Sequence, residues 1–384
     1  MEIAEFGWAG QAVEIGQIED QLRGAWRAEA TRSAESGNSL AARTNVLNLI
    51  VYASTREEAE AVATAIERLG ERHPSRTIIL IAEPDAPEAT MSSWVHTNVL
   101  TLPGANRRLL FEQVTLAAKG EAARHLPTVV NPLLVSDLPD FLWWVGEPPF
   151  QSATFSRLAD MVDRLIVDSA AFHNSVTGLH ELAELAVIPY GAAVSDFAWA
   201  RLRPWRELVA QFFDPPEYTA SLATIEQIEV LYEPAGQQHT SGFSEGLLAL
   251  GWACSRLGWL VGRRPVEEAP GAFHWQVSTG DRTIEAYLRP LHDEQAASGL
   301  RRITLHAGGQ HPGAFTVDRE GADNLATNVN VPGAPRLDRI MRATLPNEND
   351  LLLNALSQFG RDRSYDGALV FASQLCRGIT WRAQ

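Results

Sequence analysis

Arg72-His73-Pro74-Ser75-Arg76 places two guanidinium groups and an imidazole within five residues, a set that could hold a phosphate or a partner's carboxylate. The same five residues also read as a polar turn between a helix and a strand, with Pro74 fixing the bend. In Val129–Phe150, VVNPLLVSDLPDFLWWVGEPPF, the carboxylates of Asp137 and Asp140 stand next to Trp143 and Trp144. A strand that delivers two aspartates and two tryptophans at its C-terminal end would form the binding crevice of an open α/β sheet. Arg201, Arg203 and Arg206 surround Trp205, and Arg and Trp are the residue types of interface hot spots. The alternative there is a bridging helix with Trp205 in the core and solvated arginines.

Other chemistry is argued against by spacing. Gly242-Phe243-Ser244-Glu245-Gly246 fits the G-x-S-x-G pattern of a hydrolase elbow. That mechanism needs a strand directly before the serine, whereas Pro234–Thr240 intervene, so a capped helix start is the reading adopted. No G-x-G-x-x-G follows a strand and no phosphate-loop motif occurs. His306 and His311, His180 with Glu181, and the two distant cysteines lack metal-ligand spacing. The residues therefore predict no catalytic set, no cofactor and no metal, and favour a binding or regulatory protein over an enzyme.

These residues must be positioned by elements that the apolar pattern suggests. Ile15, Ile18, Leu22 and Trp26 share a face of an amphipathic helix over 14–30. Asn45–Ala53 and Arg76–Ala82 are buried strands around a helix from Thr55 to Leu69. A strand near Val95–Leu102, a helix near Asn106–Lys119 and a strand over Val129–Val135 are expected next. A helix over Phe155–Met161, a strand over Arg164–Val167 and a helix over Val176–Leu185 follow. In 195–213, Ser195 or Asp196 caps a helix that kinks or restarts at Pro204. Beyond it, short alternating strands lead to helices near Asn347–Phe359 and Tyr365–Cys376. The fold class predicted is α/β, with a mostly parallel sheet and flanking helices in an N-terminal domain, plus an α+β C-terminal domain on an antiparallel sheet. Asp214-Pro215-Pro216 marks the expected boundary. The divisions are 1–43, an N-terminal helix and loop; 44–214, the α/β domain ending in a bridging helix; and 215–384, the α+β domain.

The chain carries a formal net charge of −15 over 384 residues, which disfavours nucleic acid and anionic membranes as partners. Cys254 and Cys376 are the only cysteines, a usage that fits a reducing cytoplasm. The opening MEIAEFGWAG has no basic and apolar regions of a signal peptide, so none is expected.

Four strings carry a resemblance: RHPSRTIIL at 72–80, VVNPLLVSDLPDFLWWVGEPP at 129–149, RLIVDSA at 164–170 and DFAWARLRPWRELVAQFFD at 196–214. In order and spacing they resemble OpcA, the glucose-6-phosphate dehydrogenase assembly family. The resemblance implies a non-enzymatic, cytoplasmic partner that promotes the active oligomer of the NADP-dependent dehydrogenase at the start of the oxidative pentose phosphate pathway. It supplies no catalytic residues. It marks Arg72–Arg76, Asp137–Trp144 and Arg201–Arg206 as candidate contact regions. Because adjacent side chains diverge in a strand or a helix, one of Trp143 and Trp144 is expected in the core and the other on the partner. In cyanobacterial members a thiol pair is linked to thioredoxin control, whereas Cys254 and Cys376 read here as inert buried thiols. Two alternatives remain: an enzyme acting on a sugar phosphate, using the crevice near Asp137 and Asp140 with Arg72 and Arg76 on the phosphate, and a small-molecule sensor at the same place.

Overall fold

A computed structural model describes residues 6–9, 15–35, 42–43, 45–69, 73–101, 108–234, 241–291, 298–321, 323–333, 337–342 and 346–380. They fall into two compact units, the first within 1–167, 190–195 and 348–359 and the second within 168–189, 196–347 and 360–384. The first unit begins β1 (Phe6–Ala9), α1 (Ile15–Glu35), β2 (Ala42–Arg43), β3 (Leu47–Ala53), α2 (Arg56–Leu69), β4 (Ser75–Glu83), β5 (Thr90–Thr101) and β6 (Arg108–Lys119). It continues α3 (Leu126–Val130), β7 (Asp140–Trp144), α4 (Ala153–Ala159) and β8 (Arg164–Val167). After α5 (Ser175–Ala186) in the second unit, β9 (Ala193–Asp196) joins the first sheet. The second unit resumes with α6 (Phe197–Arg201), α7 (Arg203–Gln211), α8 (Pro216–Leu222), β10 (Ile225–Glu233) and α9 (Ser241–Leu257). Then come β11 (Leu260–Val261), β12 (Val266–Ala269), β13 (Ala272–Thr279), β14 (Arg282–Pro290), β15 (Gly299–Ala307), β16 (Gly313–Glu320), β17 (Asn324–Asn330) and β18 (Leu337–Arg342). α10 (Glu348–Ser357) belongs to the first unit and α11 (Arg363–Leu375) to the second.

The first sheet runs β1-β5-β6-β4-β3-β7-β8-β9. β6, β4, β3, β7 and β8 pair in parallel, while β5 joins β6, and β1 joins β5, antiparallel. Every residue of β3 is buried, as expected of a central parallel strand covered on both faces. In the second sheet, β11-β13-β14-β10-β15-β16-β17-β18, neighbouring strands among the described residues are antiparallel except β10 with β14. β16 and β17 alternate buried and half-buried positions, so one face of this sheet is core. α9 lies along β10, β14 and β15, with α11 packed on α9 and α5 on α11. The predicted fold class therefore holds in both sheets.

Two elements differ from expectation. Residues 108–119 are a strand rather than a helix. Val114, Leu116 and Ala118 alternate inward, but the same register buries Glu112, and that carboxylate disguises the period of two. Residues 129–135 are not a strand: Pro127 near the first position starts the short helix α3, and Asn131–Leu133 add a 3-10 turn. The strand comes later, at β7. Asn48 fixes the approach to it, donating from Nδ2 to the Val135 carbonyl (2.9 Å) while its Oδ1 accepts from the Val135 N–H (3.0 Å).

Asp214-Pro215-Pro216 lies inside the second unit, between α7 and α8, and no single peptide bond divides the units. The prolines here start another helix: Pro215 is its cap and Pro216 its first residue.

Candidate functional site

Arg76 is the second residue of β4 and is 3% exposed. Its Nε donates to Glu112 Oε2 (2.8 Å), and Nη2 sits 2.6 Å from the same oxygen, an ion-pair contact rather than a well-angled hydrogen bond. Nη1 donates to Glu19 Oε1 and to the Leu133 carbonyl, both at 2.8 Å, and the Trp26 indole donates to Glu112 Oε1. Arg76 is thus enclosed by α1, β6 and the turn after α3. Its neighbour His73 pairs with Ser357 Oγ of α10 at 3.1 Å, and Arg72 lies outside the described residues.

Asp140 begins β7 and accepts from Asn48 Nδ2 (2.7 Å), while its own N–H donates to Asp163 Oδ2 (2.8 Å). Burial raises its pKa, the Asn48 hydrogen bond opposes that, and the Asp163 charge adds to it. Asp137 is exposed with φ 66°, in the left-handed region where Asp is among the tolerated residues. Arg76 and Asp140 therefore stand at the N-terminal ends of parallel strands, whereas ligands of such sheets bind outside the C-terminal ends. The crevice expected above Asp137 and Asp140 is not assembled by these residues.

At the C-terminal end of β3 the chain enters α2 through a capping box. Glu58 Oε2 accepts from the N–H of Ser54 (2.8 Å) and of Thr55 (3.3 Å), and the Glu58 N–H donates to Thr55 Oγ1 (3.2 Å). The amides that would cradle a phosphate in a nucleotide-binding turn already hold a carboxylate, and Glu57 adds negative charge.

Trp143 and Trp144 sit in β7 and point to opposite faces of the sheet, and each is 2% exposed. Trp144 stacks on Tyr52 (ring centroids 3.7 Å apart) and meets Phe155 edge-on (5.2 Å). The expected division into one core and one partner tryptophan does not match this burial, because a parallel strand is covered on both sides.

The second unit holds the arginines of 201–206. Arg201 binds Asp168 bidentately, Nη1 to Oδ1 at 2.8 Å and Nη2 to Oδ2 at 2.6 Å. Trp205 is buried, and the exposed Arg203 pairs with Glu207 one turn on (2.8 Å). Arg206 lies over the Trp199 indole, its guanidinium carbon 3.2 Å from the ring centroid. Asp196 caps α6 through the Ala198 N–H (2.9 Å), and also accepts from the Ser169 N–H (2.9 Å), Ser169 Oγ (2.6 Å) and the Tyr365 hydroxyl (3.2 Å). Pro204 restarts the helix as α7, as its position predicts. Ser244, the serine of the G-x-S-x-G pattern, is fully buried inside α9 and donates to the Ser169 carbonyl (2.8 Å). A Cβ at Gly246 would fall 2.4 Å from Leu288 Cδ1, so the Leu288 side chain would have to move to admit it.

Sequence reasoning missed Trp199, Asp168 and Glu245. Glu245 is the one charged residue of Phe243–Leu250, and a lone carboxylate on that largely apolar stretch is the one signal that could have been read. It is buried and accepts from the Leu300 N–H (2.9 Å). Burial pushes Glu245 up to about 7, opposed by the charge of Arg201, and burial with the Asp168 charge pushes Asp196 up to about 6. A carboxyl whose folded pKa is raised gives stability that is complete below its unfolded value and lost as pH rises through the folded value. Stability is therefore expected to fall between about pH 4 and pH 7, from the unfolded to the folded values of the two groups, by on the order of 3 kcal/mol for each. Chemical denaturation at those pH values checks this; in Glu245→Gln the slope should lessen, and an unchanged slope would refute it.

Cys254 in α9 and Cys376 after α11 are buried, and burial pushes both thiols up to about 12. Neither is a ready nucleophile. Iodoacetamide is expected to label them only in denaturant; rapid labelling of the native protein would show otherwise. Among the described residues no cluster of three His, Cys, Asp or Glu side chains could hold a metal ion.

Comparison with known proteins now adds to this geometry. Residues 63–184 match the family model described as glucose-6-phosphate dehydrogenase subunit N-terminal domain, and 192–369 match the corresponding C-terminal domain. A protein of Synechocystis is 31% identical over 277 residues, covering 69% of this chain and 56% of that protein. One of Nostoc punctiforme is 30% identical over 313 residues, covering 78% and 64%. Both carry the provisional name OxPP cycle protein OpcA. The chain thus spans less than two thirds of the length of either relative. A solved oxidoreductase from Sinorhizobium meliloti overlays with a TM-score of 0.43 at 10% identity, covering 86% of this chain and 87% of that one.

Proposed function

We propose, from the premise that this chain belongs to the OpcA family of glucose-6-phosphate dehydrogenase assembly proteins, that it is a non-enzymatic assembly factor and allosteric activator of that dehydrogenase. The observation that carries the reading is the ordered match of both family domains across 63–184 and 192–369. The closed environments of Arg76 and of the Glu58 capping box support it, since both candidate phosphate sites hold carboxylates of the chain itself. No observation favours the sugar-phosphate enzyme or the sensor.

The partner in this reading is the NADP-dependent dehydrogenase, and the setting is the cytoplasm. No helix among the described residues is long and apolar enough to cross a membrane. An activator works by binding one conformational or oligomeric state of its partner more tightly than the others. A tenfold gain in substrate affinity requires about 1.4 kcal/mol of such coupling. Mixing the purified chain with the dehydrogenase of its own organism should lower the KM for glucose 6-phosphate and raise the mass of the complex. If neither KM nor mass changes across a wide range of ratios, the proposal fails. With both thiols buried, the effect should be the same with and without reductant.

A further inference from the structure

Of the four arginines and tryptophans brought forward from 201–206, three are answered within the chain: Arg201 by Asp168, Arg203 by Glu207, and Trp205 by the core. Arg206 is not. Its guanidinium carbon lies 3.2 Å over the Trp199 ring, which is itself 4% exposed, so one side of the cation is held against an indole. Nε is buried with no hydrogen-bond partner, and Nη2 makes only a long contact of 3.4 Å to the Trp199 carbonyl. Among the described residues no carboxylate forms an ion pair with it. The charges around it are Asp362, which is occupied in accepting from the Trp199 indole at 2.8 Å, Glu207, which is occupied by Arg203, and Arg203, which repels it. Burial pulls the Arg206 pKa down to about 10, the mark of a cation whose surroundings undercompensate it.

We infer that Arg206, stacked on Trp199 and only partly buried, is the docking point for an acidic side chain of a protein partner. A planar guanidinium with one face held by an aromatic ring offers its outer edge in a fixed plane, which suits a carboxylate bidentately. One such edge, with no further cation free beside it, suits a single carboxylate better than a phosphate, which gathers several donors. Because the stack is preformed, little side-chain entropy is lost on binding. The inference rests on the proposed function in taking the dehydrogenase as the partner.

The test uses the full chain with Arg206→Met and Arg206→Lys, each first shown to melt with the wild type. Affinity for the dehydrogenase is expected to fall about 30-fold in Arg206→Met, with a weaker dependence on salt. Arg206→Lys, which keeps the charge but not the planar fork, should fall between. Equal affinity of Arg206→Met and wild type overturns the inference while leaving the function standing. If the wild type does not bind the dehydrogenase, the functional reading fails, and a hexaglutamate peptide becomes the probe. Weaker binding of that peptide to Arg206→Met than to wild type then supports the acidic contact, and equal binding refutes it. Should Arg206→Met melt early, the comparison is made with Arg206→Lys alone, and an unchanged affinity there counts against the planar contact.

Discussion

Arg76→Met is expected to lower the stability of the first unit by about 3–5 kcal/mol, one of the two largest effects anticipated for any single substitution in this chain. The reason lies in what is left behind. Glu112 is 1% exposed and receives both Nε and the Nη2 ion pair from Arg76; Glu19 and the Leu133 carbonyl share Nη1. Removing the cation leaves a buried carboxylate that still accepts from the Trp26 indole but has lost its counter-charge. An unpaired buried charge costs far more than the pair itself gains. The double variant Arg76→Met with Glu112→Leu should therefore recover much of the loss, since replacing both partners by apolar groups removes the stranded charge. Urea unfolding followed by circular dichroism measures both. A single variant within about 1 kcal/mol of wild type would mean that Glu112 is solvated in solution and that the enclosure described here is wrong.

The same residues explain what could be read from the sequence and what could not. Leu47–Ala53 and Thr77–Ala82 are apolar runs because both sheet faces are covered, and such runs announce a buried strand without any knowledge of neighbours. Asp196 and Pro204 declare a cap and a restart through local chemistry, so α6 and α7 were also legible. Arg76 was visible as a cation, but its partners Glu19 and Glu112 lie 57 and 36 positions away in sequence. Nothing local distinguishes an arginine awaiting a phosphate from one already enclosed. Glu112 misled twice over: it broke the alternation of β6 and hid the partner of Arg76. Asp140 was placed at the wrong end of its strand because the valines before it imitate a strand, whereas Pro127 and the turn to Asp137 make that stretch helical. The contact candidates narrow accordingly. Enclosed groups such as Arg76 and Arg201 are committed within the chain, whereas among the described candidates Arg206 is a cation whose charge is poorly met, which sequence spacing could not separate from its neighbours.

Trp143→Ala and Trp144→Ala are each expected to melt early, losing about 3–5 kcal/mol, with neither behaving as a surface contact. Adjacent residues of a strand face opposite ways, so a half-buried strand would have divided them into one core and one exposed side chain. β7 instead lies between β3 and β8 in the parallel part of the sheet, and both its faces are covered. Trp144 loses more than area on truncation: the stack on Tyr52 and the edge contact with Phe155 disappear with the indole, a further ~0.5–1.5 kcal/mol for such aromatic pairs. Trp144→Phe, which keeps a ring opposite Tyr52, should therefore recover more than half of the loss. Thermal unfolding of the three variants, with dehydrogenase activation measured well below their midpoints, separates folding from contact. Activation should persist at temperatures where each variant is folded, because the side chains are internal. A Trp143→Ala or Trp144→Ala protein that melts with the wild type and yet fails to activate would place that tryptophan on the partner, and the burial of β7 described here would not be the state that functions.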